Sequence, residues 1–274
     1  VLRWRKGESK RNVETRLRDD GKNWHSVNGP IVRAGEDDSF LLTESESRYL
    51  RLVLHADKLQ TFGLNEIQIK DLAWGASTNA FFQNLAKAAP RGAYPRGFVE
   101  QSYWTLVGVD GGEDPALISE DGAIEPHKGS YSIEPFLTVD GRSVSWADVT
   151  STQSLLDGYL PIPRVEWKSD KLNLSVEAFA RGTREVAQIV ARYRVRNTTG
   201  APLQASLQLA IRPFQVNPPA QFLNSPGGFS AIQGVGWDGN TLRIDDVPQL
   251  LPLVRPDAVL AGTVAAGSLP EDAE

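Results

Sequence analysis

The run VAQIVARYRVRNTTGAPLQASLQLAIRPF, residues 186–214, decides the reading of the fold. Two segments alternate apolar and polar side chains about a turn at Asn197–Gly200, a hairpin signature. A period of two puts Tyr193 and Val195 on one face of the first segment. It puts Leu207, Leu209 and Ile211 on one face of the second. The pattern recurs upstream. VEWKSDKLNLSVEAFA (165–180) gives two alternating strands about Ser169–Asp170, and YSIEPFLTVDGRSVSW (131–146) a hairpin about Asp140–Gly141. FVEQSYWTLVGV (98–109), FSAIQGV (229–235), NTLRIDD (240–246) and AVLAGTVAA (258–266) read as further strands. Near the start, NVETRLR and NWHSV flank an Asp-Asp-Gly turn, and SFLLT, YLRLVLH and EIQIKDL follow at short spacing.

Residues 75–97 break this rhythm. GASTNAFFQNLAKAAPRGAYPRG is Ala-rich, has a Ser or Asn cap before FFQNLAKAA, and stops at Pro90. One short helix in a Pro/Gly-flanked connector is expected there. The expected fold class is all-β: antiparallel β-sandwiches over 1–74 and 98–274, joined by a helical connector over 75–97.

Composition narrows the function. The net charge is −5, with 13 Lys and Arg against 12 Asp and Glu in residues 1–74 and 16 against 22 in the remainder. Neither part has the basic excess of a nucleic-acid binder. No apolar run is long enough for a membrane span. With no Cys there is no disulfide framework, thiolate nucleophile or zinc–thiolate site, and export and the cytosol are both compatible. VLRWRKGESK lacks the apolar stretch of a signal peptide. Both ends read as interior sequence, so a longer parent chain is expected.

Few residues form a chemical constellation. Glu125, His127 and Glu134 lie within one acidic segment, and paired carboxylates can act as acid and base on a glycosidic bond. The plain alternative is a solvated loop and a strand. His25, His55 and His127 have no metal-ligand spacing, so no metal site is expected. GEDDS (35–39) and DGGED (110–114) carry oxygen ligands for calcium without the full alternating pattern. No nucleophile elbow or phosphate loop is present; SPGGFS (225–230) lacks the Lys. Trp104, Trp146, Trp167 and Trp237 offer stacking faces for sugars or filling for a core.

One connection stands out. RPFQVNPPAQF (212–222) holds three Pro that cannot continue a sheet, beside Arg212, Phe214, Gln215, Asn217, Gln221 and Phe222. Aromatics and amides at a strand end suit a sugar subsite or a docking surface for another domain.

Two resemblances sharpen these expectations. TRLRDDGKNWHSV, RYLRLVLH and GLNEIQIKDL, in order over about seventy residues, resemble the C-terminal half of a discoidin (coagulation factor five/eight type C) domain. That implies a jelly-roll sandwich binding glycans or lipid head groups through loops. Its N-terminal half is not recognisable in this chain, which would leave Leu50, Leu52 and Leu54 uncovered unless another segment packs on them. LLDGYLPIPRVEWKSDKLNLSVEAFA with VARYRVRNTTGAPLQASLQLAIRPFQVNPP is similar to the N-terminal β-supersandwich of bacterial glycoside hydrolases and phosphorylases. That implies a partner domain, a C-terminal helical toroid carrying the catalytic carboxylates, and a periplasmic or secreted setting, with the cytosol as the alternative. The leading expectation is a non-catalytic glycan-binding and docking region of a carbohydrate-active enzyme, needing no cofactor unless calcium binds. The rivals are a mutarotase-like sugar enzyme using Glu125, His127 and Glu134, and a pure adhesion module.

Overall fold

The structure is a computed structural model that describes residues 1–6, 12–20, 22–27, 29–42, 44, 46–55, 61–220 and 225–262, without the side chains of residues 12 and 248. It is mostly antiparallel sheet, as the alternation implies. The chain forms two compact units, one built on Val1–Asn84 and the other on Leu85–Val259.

The first unit contains β1 (Leu2–Trp4), β2 (Asn12–Arg18), β3 (His25–Val27), β4 (Ile31–Ala34), β5 (Asp37–Phe40), β6 (Tyr49–His55) and β7 (Leu64–Ile67). A four-stranded sheet in the order β4-β5-β1-β7 and a three-stranded sheet β3-β2-β6 share one core. Trp4 sits at its centre, fully buried, and donates Nε1–H to Asp38 at 2.9 Å. The strand at Leu2–Trp4 is invisible in the reading of VLRWRKGESK, yet it lies between β5 and β7. It supplies part of the cover for Leu52 and Leu54, while Leu50 stays at the surface. The expected strand SFLLT is displaced: β5 ends at Phe40, because Asp37 and Asp38 pair with Arg3 and Leu2 in register. A helix, α1 (Thr78–Ala88), follows, with Ser77 Oγ accepting from Ala80 N–H at 3.1 Å as its cap.

The second unit contains β8 (Trp104–Val107), β9 (Ala116–Ser119), β10 (Ile124–Glu125), β11 (Ser132–Val139), β12 (Arg142–Val144), β13 (Thr150–Leu155), β14 (Pro163–Lys168), β15 (Leu172–Gly182), β16 (Ala187–Asn197), β17 (Ala205–Arg212), β18 (Val235–Trp237), β19 (Leu242–Ile244) and β20 (Val247–Leu250). One sheet runs β12-β11-β10-β9-β8, with β17 also paired to β11; a second runs β13-β14-β15-β16. Their facing sides form the core: Ile118, Ile124, Leu137 and Val139 meet Val165, Trp167, Leu174 and Val176. This is a sandwich in the ordinary sense of two packed apolar faces. Tight turns close its hairpins where Asp and Gly accept positive φ: Asp140 (50°) with Gly141 (76°), and Asp245 (50°) with Asp246 (64°).

Three expected strands shorten or vanish. In FVEQSYWTLVGV only Trp104–Val107 is extended in a sheet, since Phe98 closes a 3-10 turn. In FSAIQGV the backbone of Gln233 and Gly234 donates to Asp245 Oδ1 instead of a ladder, and the strand begins at Val235. Of AVLAGTVAA, residues 258–262 form no strand and the rest lies outside the described residues.

Candidate functional site

The connection after β17 turns inward. Alternation puts Trp104, Ser119, Glu125, Ser132, Glu134, Phe136 and Arg212 on the outer side of their sheet, away from the sandwich core. Residues 213–218 lie over that side and pair irregularly with 225–230. Gln215 N–H donates to the Gly228 carbonyl at 2.7 Å, and Gly227 N–H to that of Pro218 at 2.9 Å. Gly227 is required at this point, because a Cβ would stand 2.1 Å from the Asn217 carbonyl oxygen. Phe214, 3% exposed, packs edge-on against Phe98 at 5.0 Å and beside Tyr94 and Phe229. Arg212, 8% exposed, donates to Glu134 Oε2 at 3.0 Å and to the Ala93 carbonyl at 2.7 Å, with its guanidinium over the Phe214 ring. Arg212 and Phe214 are therefore used inside the second unit itself.

The expected carboxylates are committed in the same way. Glu125, 1% exposed, accepts from Gly129 N–H at 2.7 Å and from Asn217 N–H at 3.1 Å, tying two loops together. Burial pushes its pKa up, against those amides and the nearby His127. Glu134 accepts from Ser132 Oγ at 2.8 Å as well as from Arg212. His127 stands edge-on to Tyr131 at 6.3 Å, and burial pushes the Tyr131 phenol up to about 12. Trp104 and Gln215 are half-buried. Asn217 Nδ2 donates to the Ser225 carbonyl at 2.7 Å. Gln221 and Phe222 lie outside the described residues.

A second charged group lies along the same side. Arg96 makes a two-pronged contact with Asp121 at 2.7 and 2.9 Å and reaches Glu100 at 3.0 Å. Arg91 grips Glu100 likewise at 2.6 and 3.0 Å. Both guanidiniums lie over Trp146, at 4.5 Å for Arg91 and 4.3 Å for Arg96, and its Nε1–H donates to the Tyr94 carbonyl. The cavity that Arg96, Asp121 and Trp146 border with Ser132, Glu134 and Phe136 has a volume of about 30 Å³. That is room for one or two waters and too little for a sugar ring.

An open cleft lies elsewhere, between the two sheets of the same unit. It has a volume of about 230 Å³ and is lined by Thr105, Ile118, Gln153, Ser154, Leu155, Pro163, Arg164 and Val165. On this scale a cavity of about 150 Å³ admits benzene, so a six-membered ring fits. Pairing of Gln153 with Val165 and of Leu155 with Pro163 puts Gln153 and Leu155 on the core-facing side of β13. There Gln153 is exposed, as it lines the cleft. Arg164 is held by Glu177, whose Oε1 accepts from its Nε at 2.7 Å. Ile118, Pro163 and Val165 give an apolar wall, and Thr105 and Gln153, which share the core-facing side, give a hydroxyl and an amide. None of these residues stands out in the sequence. The available signal is TSTQSL, an alternating strand whose core-facing positions read Ser, Gln, Leu instead of three apolar residues.

The described residues contain no cluster of His, Asp and Glu fit to hold a metal ion. At the two calcium-like segments, Asp37 is gripped by Arg3, Asp38 accepts from Trp4, and Asp114 accepts from Lys128 N–H. Among the described residues no helix is long and apolar enough to cross a membrane. Comparison with protein-family models, with curated proteins and with solved structures finds no match to this chain.

Proposed function

We propose that this chain is a non-catalytic, glycan-binding region of a larger carbohydrate-active enzyme, and that the cleft between the sheets of the second unit holds the sugar. The cleft carries this reading: it is ring-sized, apolar on one wall and lined with hydroxyl and amide groups. A pyranose has the matching character, with an apolar C–H face and a hydroxyl rim. Ile118, Pro163 and Val165 meet the face, while Thr105 and Gln153 exchange hydrogen bonds with the rim. The non-catalytic part is supported by the state of the acids. Glu125, Glu134 and Asp121 are each tied to backbone amides or an arginine, and the cavity beside Glu134 and Asp121 holds water at most. The resemblance of residues 155–219 to a supersandwich adds a catalytic helical domain as the partner, and that of 1–74 to a discoidin domain adds a second binding module.

A glycan array with a parallel hydrolysis and phosphorolysis assay on the purified chain tests this. Binding to a defined set of glycans, lost in Gln153→Leu and without turnover, is expected. Gln153 is exposed, so the substitution leaves the fold intact. Turnover of any glycoside, or binding indifferent to Gln153→Leu, contradicts the proposal.

A further inference from the structure

Strand β16 (Ala187–Asn197) is the end of its sheet, and no described strand pairs with its outer edge. It is 11 residues long, which gives about 37 Å of open backbone donors and acceptors. Its pairing with β15 runs from Leu172↔Asn197 to Gly182↔Ala187 without a bulge, and it contains no Pro. Exposed edges are blunted by shortness, bulges, Pro or charge, and of these devices this one has only charge, carried by arginines.

Its two faces differ in chemistry. On the side facing away from the core, Arg192, Arg194 and Arg196 stand at alternate positions. Arg192 donates to Glu177 on the neighbouring strand, at 2.8 Å from Nε. Arg194 and Arg196 lie opposite Ser175 and Asn173, and neither forms an ion pair among the described residues. On the core-facing side, Ala191 is exposed and Val195 is 38% exposed; Leu209 of β17 is 44% exposed. The sandwich core is thus unsealed along this opening, as at an interface.

We propose that β16 is an acceptor for strand addition, and that its partner is an extended segment with acidic residues at alternate positions and apolar residues between them. The acids meet Arg192, Arg194 and Arg196; the apolar residues continue the core past Ala191 and Val195; the backbones complete the ladder. A second copy is a poor occupant. Full-length antiparallel pairing of two β16 strands centres on Arg192 and opposes it to itself, and the strand has no acid to answer Arg194 or Arg196.

The test uses the whole chain and three synthetic peptides: one alternating Val and Glu, one with the same residues in two blocks, and one alternating Val and Lys. Calorimetry gives affinity and hydrogen exchange locates the site. The alternating acidic peptide should bind and slow exchange of the β16 amides. The Arg194→Glu, Arg196→Glu double variant should lose about tenfold in affinity. Both positions are exposed, so the variant folds, and unchanged exchange in β11 and β17 checks this. Equal binding of the block peptide would show charge attraction without strand pairing and overturn the proposal. Binding that survives the charge reversal, binding of the Lys peptide, binding of no peptide, or self-association through β16 in sedimentation would overturn it as well.

Discussion

Replacing Arg212 by Met should remove a large share of the stability of the second unit. Arg212 is 8% exposed and Glu134 is 4% exposed, so neither charge is solvated by water to any extent. The substitution leaves the Glu134 carboxylate with the Ser132 hydroxyl as its remaining donor among the described residues, and it strands the Ala93 carbonyl. Breaking a buried pair from one side costs about 3–5 kcal/mol, because the remaining charge stays buried. A domain has about 5–15 kcal/mol in total, so about a fifth or more is at stake. Replacing both partners, Glu134→Leu with Arg212→Met, should recover most of the loss. The orphaned Ala93 carbonyl leaves a deficit of about 1–3 kcal/mol, while the Ser132 hydroxyl borders a cavity with room for a water to take its bond. With two units present, one unfolding curve is not a two-state measurement. Native-state hydrogen exchange at β11 and β17 amides reads the right unit. A cost for Arg212→Met below about 1 kcal/mol, the range of a surface ion pair, would show that residues 212–218 are not sealed as described. So would a double variant as unstable as the single one.

Phe214→Ala should cost about 3–5 kcal/mol by the same exchange measurement, since it empties the centre of the Tyr94, Phe98 and Phe229 cluster; a cost under about 1 kcal/mol would mean the ring is not core. Burial opposes ionisation of Glu177, but hydrogen bonds from Arg192 and Arg164 outweigh it and hold the carboxyl below its usual range. Its stabilisation is present above the ordinary Glu pKa of about 4.3 and is lost as pH falls through the lower folded value. Stability curves of wild type and Glu177→Gln should therefore converge on acidification, and parallel curves would contradict this. Glu125, whose pKa is raised by burial, works with the opposite sign: its contribution is present at low pH and is lost as pH rises through the raised value. Wild type should gain on Glu125→Gln as the pH falls, and a pH-independent difference would count against that assignment. The Tyr193 hydroxyl is buried without a hydrogen-bond partner among the described residues, so Tyr193→Phe should stabilise by about 1 kcal/mol in native-state hydrogen exchange of the β15 and β16 amides. Destabilisation would reveal a bound partner for that group.

The hairpins are legible in the sequence because each combines a period of two with turn chemistry that fixes register. Asp140–Gly141 sits between Val139 and Arg142, which pair across it. The short helix is legible from its Ser cap and terminal Pro90. Strand order is not: β17 pairs with β11, setting Arg212 beside Glu134 although they are 78 positions apart in the chain, and no local pattern encodes that partner. Residues 212–218 mislead for a related reason. Pro, Asn and Gln look like surface, yet Glu125 supplies an acceptor for the Asn217 amide from within, and the aromatic rings do the burying. Glu125 and Glu134 do share one side of neighbouring strands, but Glu125 serves loop amides and Glu134 serves Arg212. The cleft is silent in the sequence because Gln153 is informative only once its side of the sheet is known.

The decisive measurement is an NMR titration of the isotope-labelled chain with mono- and oligosaccharides that score on the array. A glycan site between the sheets predicts saturable shifts centred on Thr105, Gln153, Ser154 and Val165, abolished in Gln153→Leu, with the sugar recovered unchanged. Shifts centred instead on Glu125, His127 and Glu134, or consumption of the sugar, would contradict it.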